Sequence, residues 1–162
     1  MLHRFAHLET EGFDAAIIAC FDDTGLDAAR SLLSIPVFGL CQSAASIATS
    51  VCERVAIVTT MPQSVPPLSR LLTSYIGTER SAGVYAAGIP VLDLETPSDA
   101  TLNRLLERCE QALDDGADGL ILGCAGLSQL AKTITQRFGV PAIEPISAAT
   151  KFAEAPVGLG LR

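Results

Sequence analysis

The chain has 162 residues, of which 49 % are hydrophobic and 18 % charged, and its net charge is −7. This composition excludes a disordered chain, and the acidic balance argues against a nucleic-acid partner, which needs clustered lysine and arginine. No stretch reaches the ~18 apolar residues of a membrane span and no apolar signal core follows Met1, so the sequence predicts a cytoplasmic protein without a membrane partner.

The first third of the chain alternates strand and helix patterns. In chain order these are the end of a helix over residues 2–10, a strand over 13–20, a helix over 26–33, a strand over 34–40 and a helix over 43–52. Gly12 breaks the first helix, and Asp23-Thr24-Gly25 is typical of a turn. Small and apolar residues dominate the helix over 43–52, which indicates tight packing.

The rest of the chain continues this alternation. We predict a strand of β-branched residues over 55–60, a helix through Leu68 and Tyr75, strand or loop over 83–87 and 90–94, a helix over 98–115, a strand over 119–123, a helix over 127–138, a strand over 140–144 and a helix over 146–155. Such alternation predicts an α/β fold with a mostly parallel sheet.

Two α/β units follow from the positions of the strands. Residues 1–52 form the first unit, residues 53–144 form the second, and the helix within residues 145–162 packs back on the first. The first unit has only two clear strands, and a two-stranded sheet is marginal. We therefore expect that this unit lacks a strand at its N-terminus and that the strand over 13–20 has an open edge.

Five cysteines occur along the chain, at positions 20, 41, 52, 109 and 124. Their odd number and the absence of C-x-x-C spacing argue against a disulfide framework or a zinc site. Cys41, Cys52 and Cys109 are predicted to be structural, because two fall in predicted helices and Cys41 lacks a following loop of small residues.

Cys20 and Cys124 stand apart because each follows a hydrophobic strand in a matching context. Gly-Phe-Asp-Ala leads into the first strand and Gly-Ala-Asp-Gly into the second. Ligands of open α/β sheets bind beyond the carboxyl ends of strands, where both thiols fall. Backbone N–H groups and the dipole of the following helix are expected to lower the pKa of both thiols. The alternative is that both are buried core cysteines.

These segments resemble a known family. Ala19-Cys20-Phe21-x-Asp23-x-Gly25-Leu26, Val58-Thr59-Thr60 and Leu122-Gly123-Cys124-Ala125-Gly126-Leu127 are similar to the aspartate/glutamate/hydantoin racemase superfamily, with most likeness to its hydantoin and allantoin racemases. The resemblance implies two pseudo-symmetric α/β units with a site in the cleft between them. It also implies an enzyme without cofactor or metal, an isomerase acting on a small-molecule substrate.

The resemblance further assigns roles to particular residues. Cys20 and Cys124 match the two catalytic cysteines, one removing a proton from the stereogenic carbon and the other returning one from the opposite face. Backbone amides around Phe21, Asp22, Ala125 and Gly126 would hold the ring oxygens and the developing charge of a 5-substituted hydantoin or allantoin. The hydroxyl groups of Thr59 and Thr60 would donate hydrogen bonds to the substrate, although strand-end threonines also occur without any such role.

Three departures from the family pattern accompany this resemblance. The usual first strand with its Asn-Pro-Asn-type loop is missing before Gly12, Asp22-Asp23-Thr24 replaces a Gly-Asp-Pro-type turn, and Cys41 stands near where an acidic residue is more usual.

Alternative functions are an aspartate or glutamate racemase, a decarboxylase or isomerase on the same scaffold, a truncated inactive remnant or binding module, and a redox-active thiol protein. The apolar composition predicts association into homo-oligomers.

Overall fold

A computed structural model describes residues 8, 11–94 and 96–161. The helix expected over residues 2–10 lies outside this part, apart from Leu8, which is in a turn. In chain order the elements are β1 (Ala16–Ile18), α1 (Leu26–Leu32), β2 (Val37–Gly39), α2 (Leu40–Val51), β3 (Val55–Thr59), α3 (Val65–Ile76), β4 (Ser81–Ala86), α4 (Asp99–Asp114), β5 (Gly119–Leu122), α5 (Ala131–Phe138), β6 (Ala142–Ile143) and α6 (Pro145–Gly158). Short 3₁₀ helices occupy Pro62–Ser64, Val91–Leu94 and Ala125–Leu130.

Two parallel sheets confirm the predicted α/β fold. β1 pairs with β2, and the second sheet has the order β4-β3-β5-β6 with every pairing parallel. Within the described residues β2 is the one sheet neighbour of β1, and the side chains of Phe13 and Ile17 are exposed beside it. α6 contacts β1, β2 and α2.

Several elements differ in extent from the sequence prediction. α2 begins at Leu40 rather than residue 43, because the distant carboxylate of Asp23 accepts hydrogen bonds from the first-turn N–H groups of Cys41 and Gln42. Cys52 ends α2 as its C-cap instead of lying inside it. Residues 91–94 form a 3₁₀ turn after Pro90 rather than a strand.

The core is continuous between the two sheets. α2 and α6 pack together through small buried side chains, which are Ala44, Ala45, Ala48, Ala148 and Ala149. Leu68 and Leu72 of α3 and Val55 and Ile57 of β3 belong to the same cluster. The opposite face of β3, with Ala56 and Val58, packs against Leu105 and Cys109 of α4. β3 is therefore buried on both faces, which explains its uninterrupted apolar sequence.

The described helices include none that is long and apolar enough to cross a membrane.

Candidate active site

A cavity of about 270 Å³ lies where β1, β3 and β5 end. Its wall combines residues that follow each of these three strands with residues from the start of α3 and from the 3₁₀ turn before α4. They are Ala19, Cys20, Phe21, Asp22, Thr59, Thr60, Ser64, Pro67, Leu68, Val91, Gly123, Cys124 and Ala125. The position agrees with the general rule for parallel sheets, whose ligands bind beyond the carboxyl ends of the strands.

Most of the residues that the sequence singled out meet in this cavity. Both strand-end thiols line it, together with Phe21, Asp22, Thr59, Thr60 and Ala125, whereas the exposed Gly126 does not. Sequence reasoning missed Ser64, Pro67, Leu68 and Val91. The proline-rich segment directly after β3 was the available signal, because a chain leaving a strand end must pass the ligand-binding edge of the sheet.

The environment of Cys20 differs from the one that the sequence predicted. Its Sγ donates a hydrogen bond to Asp22 Oδ1 over 2.7 Å. Cys20 is exposed as a residue, yet the partial burial of its sulfur raises the thiol pKa, and the Asp22 carboxylate raises it further. The N–H of Asp22 acts in the opposite sense but does not outweigh them. The expected lowering of the Cys20 pKa is therefore wrong, because a carboxylate faces this thiol and α1 begins only at Leu26.

Cys124 also lines the cavity but lies in a different local structure. It is half-buried, has extended backbone angles and directly precedes the 3₁₀ helix Ala125–Leu130. The N–H of Leu127 donates to its carbonyl over 3.0 Å, which closes the first turn of that helix. Within the described residues, no side chain forms a hydrogen bond with the Cys124 thiol. The two thiols therefore share a cavity but not an environment.

Thr59 and Thr60 are both buried, and their hydroxyl groups are used differently. The Thr59 hydroxyl donates to the carbonyl of Gly123 over 3.1 Å, which joins the ends of β3 and β5. This hydroxyl therefore donates to the chain itself, while Thr59 still lines the cavity. The Thr60 hydroxyl has no hydrogen-bond partner among the described residues and lines the cavity.

The loop after Cys20 is tied to α2 by the buried carboxylate of Asp23. It accepts hydrogen bonds from the N–H groups of Cys41 and Gln42 at 3.0 and 2.9 Å and from the Tyr75 hydroxyl at 2.9 Å. Burial raises the pKa of Asp23 although these three hydrogen bonds oppose the shift. Gly39 makes room for the carboxylate, since a Cβ at that position would overlap it.

A related network ties the loop after Cys124 to α6. Glu144 accepts hydrogen bonds from the Ser128 hydroxyl and from the N–H groups of Ile146 and Ser147, at distances of 2.6 to 2.7 Å. Burial alone would raise the pKa of Glu144, but these hydrogen bonds together lower it. Each thiol loop is thus anchored, through a carboxylate, to the N-terminus of one of the two helices that pack against each other below the cavity.

The comparison with known proteins agrees with this architecture. The model of the Asp/Glu/Hydantoin racemase family matches residues 1–153. The chain belongs to this racemase family. A hydantoin racemase from Rhizobium meliloti is 41 % identical over 161 residues, which cover 99 % of this chain and 67 % of that protein.

Solved structures with the racemase fold extend the comparison. An allantoin racemase from Klebsiella pneumoniae superposes with a TM-score of 0.91 at 40 % identity, over 99 % of this chain and 66 % of that one. Arylmalonate decarboxylase superposes with a TM-score of 0.72 at 19 % identity, over 99 % of this chain and 76 % of that one, and this likeness shows the fold alone. This racemase-family chain spans about two thirds of the length of the two racemases.

The charge of the cavity limits the chemistry that this racemase-family site can perform. The described lining residues include no lysine, arginine or histidine, and Asp22 is the acidic residue among them. The described part of the chain also holds no group of three or more His, Cys, Asp or Glu residues that could bind a metal ion. The titratable side chains in the lining are the two thiols and the Asp22 carboxylate, and hydroxyl and backbone N–H groups can donate hydrogen bonds.

Proposed function

We propose that this protein is a cofactor-independent racemase in which Cys20 and Cys124 exchange protons with the stereogenic carbon of a hydantoin-type substrate. The observation that carries the proposal is that thiols from the ends of β1 and β5 line one cavity in a chain of the racemase family. A cavity of about 270 Å³ suits a small ring. The backbone N–H groups that follow each cysteine would serve as further donors.

In this mechanism one thiolate removes the proton from the stereogenic carbon. The C–H bond breaks, an S–H bond forms, and the electron pair is spread as an enolate onto the neighbouring ring carbonyl. The other cysteine, as a thiol, gives its proton to the opposite face of the carbon and becomes the thiolate. Hydrogen bonds from N–H groups near Phe21, Asp22 and Ala125, and from the Thr60 hydroxyl, would stabilise the enolate oxygen.

The lining of the cavity favours a neutral ring over an amino-acid dicarboxylate. An anion brought into this site loses hydration and finds no cationic side chain among the described lining residues to compensate for it. The Asp22 carboxylate repels it further. A 5-substituted hydantoin or allantoin carries no carboxylate, and its polar atoms need only hydroxyl and N–H partners.

We also propose that the chain comprises two units, residues 1–52 with the C-terminal helix and residues 53–144, and that copies of it associate. The exposed side chains of Phe13, Leu92 and Leu159 support association. Sedimentation velocity across a range of concentrations tests it, and a sedimentation coefficient that stays at the monomer value would contradict it.

The first prediction concerns the two thiols. Cys20→Ser and Cys124→Ser each replace a thiol with a much weaker acid, so each should lower racemisation of an enantiopure 5-substituted hydantoin by about 100-fold or more in both directions. Optical rotation in buffer without added cofactor measures the loss. Cys109→Ala, which removes a buried thiol of α4, serves as the control and should change the rate little.

Solvent exchange separates the roles of the two cysteines. Exchange needs only the base on the correct face, so in deuterium oxide each serine variant should incorporate deuterium into one enantiomer and not the other. The preferred enantiomer should reverse between the two variants, and mass spectrometry detects the label. If both serine variants racemise at nearly the unmodified rate, neither thiol is the catalyst and the proposed function fails.

A further inference from the structure

The carboxylate of Asp22 lies against the Cys20 thiol at the wall of the cavity. The Sγ–Oδ1 distance is 2.7 Å, and both residues line the cavity. Among the described residues, this is the one side-chain hydrogen bond made by either cavity thiol. A thiol that donates to a carboxylate resists losing its proton, because the resulting thiolate would face a second anion. The N–H of Asp22 opposes this effect but does not outweigh it.

The other charged and titratable groups around Cys20 do not offset this effect. Asp23 in the same loop adds a negative charge, but its oxygens are occupied by the N–H groups of Cys41 and Gln42 and by the Tyr75 hydroxyl. Cys124 also lines the cavity, and no described lysine, arginine or histidine is part of the lining. Burial, Asp22 and, to a smaller extent, Asp23 together raise the pKa of the Cys20 thiol.

We propose that Asp22 is a positioning residue that holds the proton on Cys20, so that in the resting site Cys20 is the acid of the pair and the role of base falls to Cys124. This inference rests on the proposed two-thiol racemisation and assigns the role of each cysteine in the resting site. The enantiomer whose C–H bond faces Cys124 meets the resting form directly. Its proton passes to Cys124, and the proton of Cys20 passes to the opposite face of the enolate. Water then returns a proton to Cys20 and removes one from Cys124.

The opposite enantiomer needs the reverse protonation, with a thiolate beside the Asp22 carboxylate. Two enantiomers have equal free energies, so kcat/KM must be the same in both directions at every pH. The influence of Asp22 therefore appears in kcat and KM taken separately. We expect kcat and KM both to be lower for the enantiomer that meets the resting form. KM is lower because the resting form binds this enantiomer readily. The value of kcat is lower because the conversion leaves the two thiols in the reverse protonation state, which Asp22 disfavours.

The test measures how the reactivity of each thiol depends on pH, and it does not require turnover. We would alkylate the protein with iodoacetamide across a pH series and follow Cys20 and Cys124 separately by peptide mass spectrometry. Replacing the carboxylate in Asp22→Asn should move the midpoint of Cys20 alkylation to lower pH by about half a unit or more, and Asp22→Ala should move it the same way. The midpoint of Cys124 should stay nearly fixed.

Asp114→Asn removes the same charge from an exposed position at the end of α4 and should move neither midpoint. In the kinetic assay Asp22→Asn should change the ratio of the two kcat values and that of the two KM values by the same factor. An unmoved Cys20 midpoint in both Asp22 variants overturns the inference, whether or not the protein racemises hydantoins. A shifted midpoint in a protein without racemase activity supports the Asp22–Cys20 coupling while the proposed function fails.

Discussion

Two adjacent threonines show how neighbouring residues of one strand end acquire different roles. Thr59 is the last residue of β3 and Thr60 follows it, and both line the cavity, but their hydroxyl groups are used differently. Thr59 reaches the Gly123 carbonyl, and Gly123 permits this approach because a Cβ there would lie 2.9 Å from the Thr59 Cβ. Thr60 lines the cavity with a hydroxyl that has no partner among the described residues. The first hydroxyl therefore serves the fold, and the second is available to a ligand.

Replacement of each threonine by valine should separate these roles, because valine keeps the branched shape and removes only the hydroxyl. Thr59→Val leaves the Gly123 carbonyl without its donor and should lower the free energy of unfolding by about 1–2 kcal/mol. Thr60→Val should leave that free energy nearly unchanged and raise KM for a hydantoin by about threefold to tenfold. Urea unfolding and initial-rate assays measure the two effects. Equal destabilisation by both substitutions would contradict the assignment.

At this scale the sequence predicted the two thiols but not their surroundings. Cys20 and Cys124 could be found because both the preceding strand and the lead-in are repeated, and this repetition is visible in the chain itself. The contact between Cys20 and Asp22 could not be found in this way, because it depends on loop backbone angles that the sequence alone does not fix. Asp23 in that loop adopts a φ of 50°, which few residues other than glycine accept.

A carboxylate caps the N-terminus of α2 and that of α6, but in α2 the carboxylate comes from the thiol loop and in α6 it comes from the N-cap residue. The N-cap of α2 is Gly39, and the thiol loop supplies the carboxylate of Asp23. The N-cap of α6 is Glu144, which supplies the carboxylate itself while the thiol loop supplies the Ser128 hydroxyl. In both cases a negative charge stabilises the N-terminus of a helix. In each case the carboxylate that caps the helix also ties down the loop next to a cysteine. The cap and the position of the thiol therefore depend on the same structural feature.

Gly39→Ala should break this feature at α2. The alanine Cβ would overlap the Asp23 carboxylate, although the extended backbone at Gly39 accepts alanine without strain. We expect the free energy of unfolding to fall by about 1–2 kcal/mol as the cap is lost, and racemase activity to fall as the loop of Cys20 moves. Thermal unfolding and an initial-rate assay measure the two losses.

Gly158→Ala is the matched control, because it makes the same change at the end of α6, where an added Cβ meets no atom within 4 Å. It should leave stability unchanged or raise it by roughly 0.5–1 kcal/mol. A similar loss of stability in both variants would show that the overlap at Gly39 is not what matters.

The sequence predicted the elements better than their ends. The predicted strand over 55–60 and helix over 98–115 correspond to β3 and α4, and the Ser98 side chain caps α4 by accepting from the N–H of Thr101. The start of α2 could not be predicted, because its cap comes from Asp23 in a separate loop rather than from the residue before the helix. A sequence pattern reveals a cap that comes from a residue next to the helix. The Asp23 cap of α2 can be recognised only once the tertiary structure is known.

The whole molecule is held together by the seam of small residues between α2 and α6. One core cluster runs from Phe21 beside the first thiol, through this seam, to Ile121 in the second sheet. Neither sheet therefore has a core of its own on this face. Residues of both proposed units contribute to this cluster. We expect one cooperative unfolding transition for the described part of the chain.

Enlarging a residue of the seam should destabilise both sheets together. Ala149 is fully buried between the two helices, and Ala149→Leu inserts three carbon atoms into close packing, which should lower the free energy of unfolding by about 1–3 kcal/mol. Ala155→Leu makes the same change at an exposed position of α6 and should stay within about 0.5 kcal/mol of the unmodified protein.

Far-ultraviolet circular dichroism reports all helices, whereas tyrosine emission reports the second unit, since Tyr75 and Tyr85 both lie there. Both signals should move to lower urea concentration by the same amount in Ala149→Leu, because the core cluster that contains the seam includes residues of both units. If the dichroism transition shifts while the tyrosine transition stays in place, the units unfold separately. In that case the core cluster that both sheets share would stabilise the cavity less than the contacts within each sheet do.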